Sequence, residues 1–218
     1  MKFDLHIHSN YSDGCASVVE IIDAAVRRGL DGIALTDHDT MRGIPAARRY
    51  IDEQKFDLIL IPGVEVTTSE GHLLVLGVEE PPERKMSPEE TIEKAHDLGG
   101  ITDVPHPYHP FRHAIGRIPD VDAVEVYNSK HLFGLANGRA RIEAMRRHIP
   151  MVAGSDSHYA ETVGLGVTEI LTDDADGVLE AIRAGRTRIL GRRTPPKYFA
   201  GNMFTYIYKK IVRKGRRG

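Results

Sequence analysis

An alternation of short apolar runs with longer amphipathic stretches is what most limits the folds open to this chain. The runs occupy residues 2–8, 32–36, 58–66, 72–78, 100–104, 121–127 and 151–155. Their centres, among them Ile33-Ala34-Leu35 and Leu58-Ile59-Leu60-Ile61, are nearly continuous and rich in β-branched residues, as strands buried on both faces are. The helices between them mark their own ends. Ser17 and Glu20 form a capping-box pair before a helix over 18–28, and Gly29 stops it. Ser87-Pro88-Glu89-Glu90 repeats the signal and predicts a helix to Leu98, halted by Gly99-Gly100. Helices are also expected over 41–54, 135–148 and 175–184. The pattern predicts an α/β protein.

One link breaks the βα rhythm. Only the six residues from Thr67 to His72 separate Glu65-Val66 from Leu73-Leu74, whereas a parallel crossover needs about a dozen. The link is therefore a hairpin, the strand after it runs back antiparallel, and His72 comes to lie at the same end as Glu65.

With 218 residues, 41% hydrophobic and 28% charged, the chain has the length and composition of one ordered domain. No apolar run reaches the roughly 18 residues of a membrane span, and the start, MKFDLHIHS, lacks the apolar segment of a secretory signal. Cys15 is the sole cysteine, so a disulfide framework within the chain is excluded and a cytoplasmic location is expected. Charge is uneven. Residues 192–218 hold nine Lys/Arg and no acid, leaving 20 basic against 31 acidic residues in 1–191. We expect a body over 1–191 and a basic C-terminal extension over 192–218. In the extension Phe204, Ile207, Tyr208 and Ile211 fall at helical spacing among lysines and arginines, predicting a docked amphipathic helix or a contact for nucleic acid or anionic lipid. The acidic body speaks against broad nucleic-acid binding.

The eleven histidines carry the chemistry. His6-Ile7-His8 ends the first strand, with Asp13 soon after; Thr36-Asp37-His38-Asp39 ends the second. Gly63-Val64-Glu65 lies on the third, His72 opens the return strand, Pro105-His106-Pro107 ends the fifth, and Gly154-Ser155-Asp156-Ser157-His158 ends the seventh. In a barrel of mostly parallel strands these ends share one face. Residues two apart on a strand point to the same side, so His6 and His8 can reach one ion, and Asp156 and His158 are expected to repeat that geometry. Imidazole with carboxylate and no thiolate suits Mn²⁺, Zn²⁺ or Fe²⁺.

Asp-Leu-His-Ile-His-Ser, Thr-Asp-His-Asp, Gly-Val-Glu, Pro-His-Pro and Gly-Ser-Asp-Ser-His, in this order, resemble the PHP (polymerase and histidinol phosphatase) domain over about residues 1–191. The resemblance implies a distorted (β/α)7 TIM-like barrel and two or three divalent ions. It implies His6, His8, Glu65 and Asp156 on the first ion, Glu65, His72 and His106 on the second, and Asp13, His38 and His158 on the third. No motif position is lost. Two ions sharing a hydroxide lower the pKa of its parent water toward neutrality, and that hydroxide attacks phosphorus in line. Glu65, Asp156 and His158 are the expected catalytic residues.

Cations on overhanging loops, Arg112, Arg117, Lys130 and His131, are expected to bind substrate, and Asn128 to have at most an orienting role. Asp37 and Asp39, flanking His38, read as carboxylates behind the ligands or as helix caps. The expected activity is hydrolysis of a phosphate ester of a small nucleotide-like or metabolite substrate. Exonucleolytic trimming of RNA or DNA ends, histidinol phosphate hydrolysis, C–N bond hydrolysis and a non-catalytic partner-binding role stay open.

Overall fold

The computed structural model describes residues 1–110, 113–131 and 134–198. Nine strands form one sheet in the order β7-β6-β5-β4-β3-β2-β1-β8-β9. They are β1 Lys2–Ile7, β2 Gly32–Leu35, β3 Ile59–Thr67, β4 His72–Leu76, β5 Ile101–Val104, β6 Ala123–Asn128, β7 Met151–Gly154, β8 Gly166–Ile170 and β9 Thr187–Gly191. The helices are α1 Val18–Arg27, α2 Ile44–Gln54, α3 Pro88–Asp97, α4 Leu135–Arg147 and α5 Val178–Arg183. The sheet curls almost into a barrel. His8 N–H donates to the Ser157 carbonyl at 2.8 Å just beyond β7, and Ala153 of β7 and Thr168 of β8 bond through the threonine hydroxyl. The α/β barrel-like fold is thus as the sequence indicates.

β3 and β4 pair antiparallel with Thr67 opposite His72, so the short link is the hairpin its length demands. β1–β2, β2–β3, β5–β6 and β6–β7 are parallel. Both capping boxes form, at Ser17 with Glu20 and at Ser87 with Glu90. α2 begins at Ile44 instead of residue 41, with Pro45 in its first turn, and α5 spans only Val178–Arg183. β8 and β9 are not foreseen in the sequence: both are five residues long, and β9 lies on the sheet edge, so much of it is exposed and carries no continuous apolar run.

α1 and α2 cover one face of the sheet, packing Ile21, Ile22, Ile44 and Ala47 against Ile7, Ile33 and Leu35. Phe3, Leu5, Ala34, Leu74, Leu76, Ile101 and Val152 form a second cluster closed by Val178, Ala181 and Ile182 of α5. Beyond β9 the chain stays on the body as far as it is described: Thr194 N–H donates to the Ser129 carbonyl at 2.9 Å, and the Tyr198 ring lies 5.4 Å from Tyr159. The amphipathic stretch 204–211 lies outside the described residues.

Candidate metal centre

Glu65, near the end of β3 and buried, is the hub of the cleft. Its Oε2 lies 3.3 Å from His6 Nε2, 3.0 Å from His8 Nε2 and 3.4 Å from His38 Nδ1. Its Oε1 lies 2.9 Å from His72 Nδ1 and 3.4 Å from His106 Nε2. The hairpin register delivers His72, and His106 follows directly on β5. Asp156 Oδ1 approaches His8 Nε2 at 3.8 Å, while Asp13 Oδ2 is 3.1 Å from His158 Nε2 and 3.8 Å from His38 Nε2.

All nine expected ligands thus come together around one cleft, His158 through its contacts with Asp13 and Asp156. The sets whose donor atoms lie within 4.8 Å of one another are His6, His8 and Asp156; His6, Glu65 and His106; His8, Asp13 and His38; and His38, Glu65 and His72. His38 spans two groups because its Nδ1 faces Glu65 while its Nε2 faces Asp13.

The backbone departs from simple strand alternation where it matters. His8 lies just past the end of β1, and register slips in β1 between Asp4 and Ile7, beside His6; such irregularities re-aim side chains beside active sites. Asp156 has φ 51° and His106 φ 34°, in the left-handed region that non-glycine residues avoid. Asp156 and His158 lie past the end of β7, with Asp156 in the left-handed region, so they do not meet by alternation along a regular strand, which corrects the expectation for that pair.

The donor set fits divalent cations on its own chemistry. His6 Nε2 and His8 Nε2 face each other at 3.0 Å while both face the same carboxylate oxygen, and buried His8 Nδ1 has no hydrogen-bond partner among the described residues. Protons alone satisfy such a crowd of acceptors poorly; a cation answers several at once, and imidazole with carboxylate suits a borderline divalent metal. Burial opposes ionisation of Glu65, but His38, His72 and His6 outweigh it and hold its carboxyl well below the usual range. Burial likewise opposes charge on His6, yet Glu125 and Glu65 push it up to about 10. Burial takes His38 down to about 4 against the pull of Glu65.

The cleft, about 200 Å³, is lined by Lys130 and His113 as well as by ligand residues. Lys130 is buried, its Nζ 3.0 Å from Asp156 Oδ1 and 2.9 Å from His158 Nδ1. Arg117 does not line the cleft: Glu70 holds its guanidinium through two bonds of 2.9 and 3.0 Å, and Glu89 pairs with it at 2.8 Å. His131 is buried with its ring 4.8 Å from His109, and Arg112 lies outside the described residues. Asp37 accepts from Ser9 and Ser12, and Asp39 from Thr67, so both brace the loops behind the ligands.

Glu125 and Asp103 escape the sequence reading, and His113, a loop histidine outside the expected ligand set, lines the cleft. Glu125 and Asp103 are acids inside apolar strands, and that interruption was their only signal. Burial, with Glu125 beside it, pushes the Asp103 carboxyl well above its ordinary value.

Comparison with known proteins places this geometry. A family model described as PHP-associated matches residues 134–187. The uncharacterized protein MJ1587 of Methanocaldococcus jannaschii is 38% identical over 154 residues, which cover 64% of this chain and 89% of that protein. The chain belongs to the PHP domain family. Other relatives of this PHP domain match over shorter stretches. The 5'-3' exoribonuclease Rnm of Salmonella typhimurium is 44% identical over 66 residues, 30% of this chain and 22% of that enzyme. The 3',5'-nucleoside bisphosphate phosphatase of Chromobacterium violaceum is 39% identical over 87 residues, 36% of this chain and 28% of that enzyme. The PHP fold is shared with a solved two-domain protein of Bacteroides vulgatus, described as containing a predicted PHP-like metal-dependent phosphoesterase; the TM-score is 0.74 at 22% identity, over 88% of this chain and 65% of that one. No helix among the described residues is long and apolar enough to cross a membrane.

Proposed function

We propose that this PHP domain hydrolyses a phosphate ester of a small nucleotide-like substrate, using two or three divalent ions held by His6, His8, Asp13, His38, Glu65, His72, His106, Asp156 and His158. The observation that carries the reading is the set of five imidazole nitrogens within 3.4 Å of the two oxygens of buried Glu65. Divalent ions bound there supply Lewis acidity and a water-derived nucleophile at neutral pH. Glu65, with one oxygen facing His6, His8 and His38 and the other facing His72 and His106, would hold ions on both sides. Asp156 would help to hold them beside His8, and His158 joins it to Asp13. Lys130 brings a cation to that wall, where it can hold a phosphoryl oxygen. A cleft of about 200 Å³ is smaller than a typical small-molecule pocket of roughly 300 Å³ or more. It suits a terminal phosphoryl group, with the base and sugar held outside. The nucleoside bisphosphate phosphatase relative supports that class.

A second reading is removal of nucleotides from RNA ends. The exoribonuclease relative supports it, and so does the start of the basic extension, which Thr194 ties to Ser129, next to Lys130.

The test is phosphate release by the Mn²⁺-loaded full chain from bisphosphorylated nucleosides, sugar phosphates, an aryl phosphate and short 5'-phosphorylated RNAs. We expect turnover of the bisphosphorylated nucleosides, and a loss of about 10³-fold or more in Glu65→Gln and in Asp156→Asn. Full turnover by both variants would defeat the proposal. Mononucleotide release from RNA in preference to any small phosphate would select the second reading.

A further inference from the structure

We infer that Glu125 is the positioning residue of the candidate centre, fixing His6 in the tautomer that turns Nε2 into the cleft and joining the strand ends that supply His6, His106 and Asp156. The inference rests on the reading of the cleft as a metal site. Glu125 is 1% exposed, and its carboxylate bonds leave little unspent. Oε1 is 3.0 Å from His6 Nδ1; Oε2 accepts from the His106 backbone N–H at 2.9 Å and from Asn128 Nδ2 at 2.9 Å. The same Asn128 amide reaches Asp156 Oδ2 at 3.1 Å. Glu125 on β6 is thus tied directly to β1 and to the segment after β5, and through Asn128 to the segment after β7.

A ring nitrogen that gives its proton to a carboxylate leaves the other nitrogen unprotonated and aimed, which is how outer carboxylates raise the basicity of metal-bound histidine. Two further observations point to the same contact. Any Cβ at Gly154 would overlap His6 Cβ and come within 2.6 Å of Glu125 Oε1, so the β7 backbone closes on the pair only because that residue is glycine. Register also slips in both strands that carry the pair, between Asp4 and Ile7 in β1 and between Glu125 and Tyr127 in β6. The reach of Glu125 to His106 matters separately, because that residue sits at φ 34° and its N–H is held by this carboxylate.

The test is cobalt(II) titration of the metal-stripped full chain, read by visible absorption and by competition with a chelator. Glu125→Gln keeps the volume and loses the charge and one accepting oxygen; we expect its cobalt affinity to fall about 10- to 100-fold with an altered absorption band. Asn128→Ala, which leaves the His6 contact in place, should lose less while altering the band in the same sense, and it decides the matter if the Gln variant fails to fold. Wild-type affinity and spectrum in Glu125→Gln, or in Asn128→Ala where that variant must decide, would overturn the inference. Wild-type cobalt binding by Glu65→Gln would instead sink the metal-site reading and this inference with it.

Discussion

Lys130 sits between Asp156 Oδ1 and His158 Nδ1, and those two contacts would not both persist with a cation on His158. His158 Nδ1 is also 3.0 Å from the Asp156 carbonyl oxygen. If Nε2 is given to a cation, Nδ1 must carry the proton and donate it to that carbonyl, and a protonated nitrogen cannot accept from an ammonium. One Lys130 N–H would then turn from His158 and could face a phosphoryl oxygen. Lys130→Met should therefore raise KM for a phosphate ester about 10- to 100-fold, as expected for loss of a charged hydrogen bond, with kcat changed less. Steady-state kinetics check this, and a fall in kcat at constant KM would assign the lysine to the transition state instead. The nine candidate ligands were legible because strand ends and turns display them beside runs of unmistakable type. Glu125 was not, because its role depends on which strands become neighbours across the sheet.

At the scale of elements, the helices that carry explicit caps were the easiest to read. Ser17 N–H donates to Glu20 at 2.7 Å and Glu20 N–H returns to Ser17 Oγ at 3.3 Å, starting α1 where Ile21, Ile22 and Ala25 meet the sheet. Ser17→Ala should cost about 1 kcal/mol of stability, read as a lower urea midpoint with an unchanged slope. The starts of α2 and α5 were harder, since neither has a side-chain cap: Gly43 and Gly177 precede them. β8 and β9 were hidden for another reason. Their pairing partners lie at β1 and at each other, so sheet closure, not local apolar content, makes them strands.

For the molecule as a whole, distant parts are held together by single buried or half-buried acids. Asp122 accepts from His96 of α3 at 2.8 Å, from the Thr102 N–H of β5 at 2.8 Å and from Arg183 of α5 at 3.1 Å. Burial opposes its ionisation, but the bonds from His96 and Thr102 outweigh it and hold the carboxyl below the ordinary range. A carboxyl lowered on folding adds stability above its unfolded pKa of about 3.9 and loses it as pH falls through the folded value. Asp122→Asn should thus unfold at a lower temperature than wild type at pH 7, with the gap narrowing below about pH 4. Thermal melts at pH 7 and pH 3 measure it.

The reversal at Thr67–His72 has an outcome for how such a centre can be remodelled. Most strands hand over their donor groups as they leave the sheet; β4 hands over His72 as it arrives, on a link that carries no helix. Adding or deleting a residue there would slide one imidazole along the rim while the barrel floor stayed as it is, so the capacity of the cleft for an outer cation can drift without refolding the molecule.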